Sequence, residues 1–184
     1  MSTISVQIDP DLDTFAETFI NWFAEREHLN KPRVKIWIIP ALAEWEKLFV
    51  FPIIPRNPVE HNTATPHNQV DGFLMSRKSA VKIRDGLTPA QLEQAKKEIE
   101  AVMETVDAFM AGQDYAIFLN RQFLQQQSKF EKISSEAKIK YVLTHELIHA
   151  FEHENNTAII TKNDDEKVND LLERFVTAYP KWGY

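Results

Sequence analysis

Cysteine is absent from the 184 residues. Disulfides and thiolate metal sites are thereby excluded, so any bound metal must be held by histidine, aspartate or glutamate. Basic charge is not in excess: 27 acidic residues against 21 basic ones give a net charge of −6. That balance argues against a nucleic-acid or anionic-membrane surface. The one basic stretch, SRKSAVKIR (76–84), reads as the solvated face of a strand or hairpin. The amino-terminal MSTISVQIDPDLD lacks a basic segment followed by an apolar one, and no apolar run is long enough to span a bilayer. The expected address is the cytoplasm. Internal repeats and low-complexity tracts are missing as well.

What remains is a composition of 43% hydrophobic and 26% charged residues, sufficient for one domain with a substantial core over residues 1–184. Asp9-Pro10 predicts a helix cap followed by proline at the first helical position, and Leu12, Phe15, Phe19, Trp22 and Phe23 mark one helical face as far as about His28. RVKIWII (33–39) predicts a strand and ALAEWEKLF (41–49) a short helix. A proline-punctuated segment, 52–71, carries His61 and His67, and a loop of that length is expected to be functional or disordered. GFLMS (72–76) and AVKIR (80–84) read as two short strands or a hairpin. Thr88-Pro89 with Gln91 predicts a capping box opening a helix that ends near Gly112. YAIFLN (115–120) predicts a strand, a helix opens near Ser134 or Ser135, and Asp164 or Asp165 caps a last helix running to about Tyr179. Few strands among long helices imply an α+β fold.

The helix opening near Ser134 contains THELIHAFEHE (144–154). His145 and His149, four residues apart, project from one face about a turn apart, a spacing at which two imidazoles can grip one zinc ion. Glu146, beside the first of them, can take a proton from a water activated by that ion. Leu143, Leu147, Ala150 and Phe151 cover one broad side, with Ile148 and Tyr141 nearly opposite, which predicts a helix buried almost all round. Burying two histidines and a glutamate without partners costs several kcal/mol, roughly, and a metal removes that cost. His153 lies eight residues from His145, about 12 Å of helical rise, too far for both to meet one ion. A third ligand is expected from DEKVNDLLERFVTAYP (165–180), where Glu166 and Glu173 both border the apolar face of Val168, Leu171, Leu172, Phe175, Val176 and Tyr179.

HExxH followed on a later helix by EKVND resembles the gluzincin metallopeptidases, the thermolysin-like zinc enzymes. The resemblance spans about residues 115 to 180. It implies a zincin-like fold with a small mixed sheet, an edge strand, an active-site helix and a glutamate-bearing carboxy-terminal helix. It also implies zinc held by His145, His149 and Glu166, Glu146 as general base, and Asp170 supporting a zinc-binding histidine. YAIFLN looks like the edge strand that binds extended substrate in that family. Glu166 follows His149 by seventeen residues, a little short for the thermolysin arrangement, which keeps Glu173 open as a substitute. A downstream oxyanion-stabilising group is also implied, with Tyr179, Tyr184, His61 and His67 as candidates. THELIHAFEH is similar, over about ten residues, to the mitochondrial metallopeptidases that process an ATP-synthase subunit.

The expectation is therefore a zinc metallopeptidase acting on a peptide or protein substrate. Its rivals are a metallopeptidase-like regulator that keeps zinc and binds a partner without cleaving it, and a metal-free helical interaction protein. Retention of Glu146 favours chemistry, since a purely structural zinc site has no need of it.

Overall fold

The computed structural model describes residues 4–45, 70–77, 88–160 and 165–183. The Pro-rich segment as far as residue 69, His61, His67, Tyr184, the AVKIR strand, Asp164 and the second half of the 41–49 helix lie outside them; residues 42–45 are helical.

Local signals set most element ends. Helix α1 spans Pro10–Glu27 beneath an Asp9 cap whose side chain accepts from the Asp11 and Leu12 amides, and His28 ends it in the left-handed conformation. Strand β1 is Val34–Ile39 and β2 is Gly72–Ser76. Helix α2, Pro89–Met110, opens on the complete Thr88–Gln91 capping box and closes at Ala111. Strand β3 is Tyr115–Asn120. The Asn120 side chain then caps α3, Arg121–Glu131, by accepting from the Phe123 amide. Ser134 caps α4, Ser135–Asn155, in the same way through Ala137. Helix α5 is Asp165–Ala178, and a single 3-10 turn follows at Pro180–Trp182.

The strands form one mixed sheet in the order β1-β3-β2. Strand β3 pairs parallel with β1, Val34 opposite Tyr115, and antiparallel with β2, Gly72 opposite Leu119. This corrects the expectation that Tyr115–Asn120 is an edge strand: it is the central one, hydrogen-bonded on both sides. All six of its residues are buried, the pattern of a strand covered on both faces. Among the described strands the outer positions belong to β1 and β2.

Because side chains alternate across a strand, the sheet feeds two cores. Ile36, Ile38, Ile117 and Leu119 join α1, α4 and α5 in a cluster centred on Phe15, Phe19, Leu147, Phe151 and Phe175. Ala116, Phe118, Phe73 and Met75 point the other way, onto Val106 and Met110 of α2 and onto Trp45. Aromatic edges tie the first core together: the Phe15 and Phe19 rings meet Phe175 at 5.4 and 5.3 Å, and Phe23 meets Phe151 at 5.0 Å. Among the described residues no helix is long and apolar enough to cross a membrane.

Candidate metal centre

Helix α4 is buried over most of its circumference, Val142, Leu143, Leu147, Ile148, Ala150 and Phe151 included. At about 100° per residue, Lys138, Tyr141, His145, His149 and Glu152 share one sector roughly 80° wide. Polar side chains at that spacing on an otherwise buried helix form a stripe, and each has a partner.

His145 and His149 turn their Nε2 atoms toward each other, 3.0 Å apart, with the rings inclined at 73°. Two nitrogens bound at about 2.0–2.1 Å to one tetrahedral ion stand about 3.3 Å apart. The pair is thus already close to the separation that one ion needs, and the donor set fits zinc. Burial, followed by the neighbouring His149, pushes the His145 pKa down to about 4, against the opposing fields of Asp165 and Glu152. A ring that stays neutral well below pH 7 keeps the lone pair that a metal needs.

The other nitrogen of His149, Nδ1, lies 2.7 Å from Glu152 Oε2. The second oxygen of that carboxylate accepts from the Ile159 and Ile160 amides, at 2.6 and 2.7 Å. Burial acts to raise the Glu152 pKa, but these hydrogen bonds outweigh it and hold the carboxyl below its ordinary value. An ionised carboxylate only accepts, so the imidazole donates from Nδ1.

One turn before His145, the Tyr141 hydroxyl donates to Asp165 Oδ1 at 2.6 Å. That bond ties the first residue of α5 to the histidine stripe. Burial and this hydrogen bond raise the Tyr141 pKa, keeping the hydroxyl protonated.

Glu146 is buried and belongs to the row that begins with Val142 one turn earlier. Val142 touches β2: a Cβ built on Gly72 would come within 2.8 Å of Val142 Cγ1. At the far end of α4, Tyr115, which pairs with Ser76, donates to Glu154 at 2.9 Å. Helix α4 therefore runs alongside β2 from Gly72 towards Ser76. One helical turn beyond Val142 is about 6 Å of rise, close to that of two strand residues, so Glu146 comes level with Leu74. The histidine stripe lies between two walls, β2 on one side and residues 159–160 with Asp165 on the other.

The remaining expected site residues are on α5. Glu166 and Glu173 are exposed. Asp170 is half-exposed and paired with Arg174 at 2.9 Å, and the carboxylate that meets a histidine Nδ1 is Glu152 instead. Among the described residues no three His, Asp or Glu side chains are gathered to hold one ion. Tyr179 is partly buried and packs on Phe175 at 5.2 Å, against the core. Glu152 carried a readable signal, three residues after His149 on the same stripe.

Comparison with protein-family models, with curated proteins and with solved structures returned no match.

Proposed function

We propose that the protein is a zinc-dependent metallopeptidase whose centre is built on His145 and His149. The observation that carries this is the convergence of their two Nε2 atoms at 3.0 Å on a buried helix, with Glu146 next in sequence. A zinc ion held there would supply Lewis-acid chemistry, the kind that brings the pKa of a water to about 7.

The chain's own groups do the rest. His145 and His149 donate their Nε2 lone pairs. Glu146, on the side of the stripe facing β2, takes the proton of the attacking water and can return it to the leaving amine. In this reading the third ligand is Glu166 in the first turn of α5, whose first residue, Asp165, is held by Tyr141 one turn before His145 on α4. A peptide substrate would lie along the β2 wall, level with Glu146.

Two measurements test the proposal. Protein prepared without chelator should contain one zinc per chain, and His145→Ala and His149→Ala should each abolish tight binding. Glu146→Gln should retain zinc while peptide hydrolysis falls by about 10²–10⁴-fold. A metal-free wild type, with both alanine variants unchanged, refutes the ligand assignment. A zinc-loaded protein that cleaves nothing in a broad peptide screen favours a zinc-holding, partner-binding module instead.

A further inference from the structure

Resting on the metal reading above, we infer that Glu152 is the positioning residue of the centre, orienting His149 and fastening residues 159–160 to it. Its carboxylate divides its two oxygens between two tasks. Oε2 accepts from His149 Nδ1 at 2.7 Å. Oε1 accepts from the Ile159 and Ile160 amides at 2.6 and 2.7 Å.

The first contact selects a tautomer. With the proton on Nδ1, the lone pair of His149 must be on Nε2, the atom that faces His145 Nε2 across 3.0 Å. A neutral imidazole free of such a partner distributes its proton between both nitrogens, and a metal then has to select the competent form.

The second contact depends on how α4 ends. Asn156 adopts the left-handed conformation, and its amide donates to the Glu152 carbonyl. The Thr157 amide donates to the same carbonyl at 3.1 Å. The chain reverses there, and the two isoleucine amides return to the side chain of the residue whose carbonyl caps the helix. Ile160 is buried in the core shared by α4 and α5. One carboxylate thus links the second histidine to the connection that leads to α5, the helix expected to supply the third ligand.

Glutamine in this position has a single acceptor oxygen for the two tasks, and alanine has none. Aspartate keeps both oxygens on a shorter arm. The test uses the full chain with 15N-labelled histidine, first metal-free and then titrated with zinc alone against a competing chelator. In the metal-free wild type the His149 ring should be held as the Nδ1–H tautomer. Glu152→Ala should mix the tautomers and weaken zinc binding about ten- to hundredfold. Glu152→Gln should fall between alanine and wild type, and Glu152→Asp should recover part of both readouts.

A folded Glu152→Ala that keeps the tautomer and the zinc affinity overturns the assignment, as does a change in thermal stability alone. Should the alanine variant fail to fold, the near-isosteric glutamine variant decides by the same two readouts. If the wild type takes up no zinc but Glu152 still sets the tautomer of His149, the positioning role stands and the metal reading falls.

Discussion

His145 couples the chemistry of the site to pH. Its pKa in the fold lies near 4, lowered first by burial and then by His149, whereas the unfolded chain has an ordinary value of about 6.5. Between those values the unfolded state binds the proton and the folded state does not, so stability rises with pH across that window. The metal-free protein should therefore lose stability as the pH falls from about 6.5 towards 4, with this contribution fully present above 6.5. Urea denaturation at several pH values checks it. His145→Gln, in which nothing titrates, should flatten that slope, and an unchanged slope in the variant would assign the pH dependence to other groups.

At the scale of elements, the contact between α4 and β2 leaves no room for a side chain at Gly72. A methyl group at Gly72 would sit 2.8 Å from Val142 Cγ1, 3.2 Å from Leu119 Cδ2 and 3.3 Å from the Phe118 carbonyl oxygen. Gly72→Ala should therefore cost about 1–3 kcal/mol, as overpacking does. It should also move β2 away from Glu146 and reduce hydrolysis more than zinc affinity. Thermal melts with parallel zinc titrations separate the two effects. Thr88→Ala, by contrast, removes a capping box remote from the histidines, and should cost about 1 kcal/mol without altering zinc affinity.

The same scale shows what the sequence made legible. Caps at Asp9, Thr88 and Ser134 act within three residues of themselves, so α1, α2 and α4 could be placed from local chemistry. Strand β3 was recognisable from its apolar run, but its central position depends on partners at 34–39 and 72–76, which no local pattern specifies. Helix α3 has no comparable signal in the sequence. Its cap, Asn120, doubles as the last residue of β3, and its core contact is limited to Leu124 and Ser128, so the apolar period is faint. At the site, the HExxH spacing announced the histidine pair. Glu152 does not stand out in the same way, because Tyr141 reads with the apolar positions and masks the polar stripe that runs from Lys138 to Glu152.

Over the whole molecule, the proposed centre joins α4 to the head of α5, and these helices share the core around Phe151, Val168, Leu172 and Phe175. A ligand set drawn from both helices makes zinc binding and their docking one event, so zinc should raise the melting temperature by mass action. Three carboxylates of α5 are distinguished by this linkage. Glu166 is expected to bind the ion, Asp165 to hold the first turn through Tyr141, and Glu173, about 10 Å further along the axis, to do neither. With zinc at a hundred times the wild-type dissociation constant, the gain should be about 2.7 kcal/mol. At about 2–4 °C per kcal/mol for a chain of this size, that is an easily measured shift. Glu166→Ala should lose most of the zinc-dependent gain while its metal-free melting point stays near wild type. Asp165→Ala should lose a smaller part, and Tyr141→Phe should match it, because both break the same bond. Glu173→Ala should keep the full gain. A loss confined to Asp165→Ala, with Glu166→Ala unaffected, would move the third ligand one residue back and make Tyr141 its hydrogen-bond donor; a loss confined to Glu173→Ala would require α5 to approach the histidines about two turns further along its length.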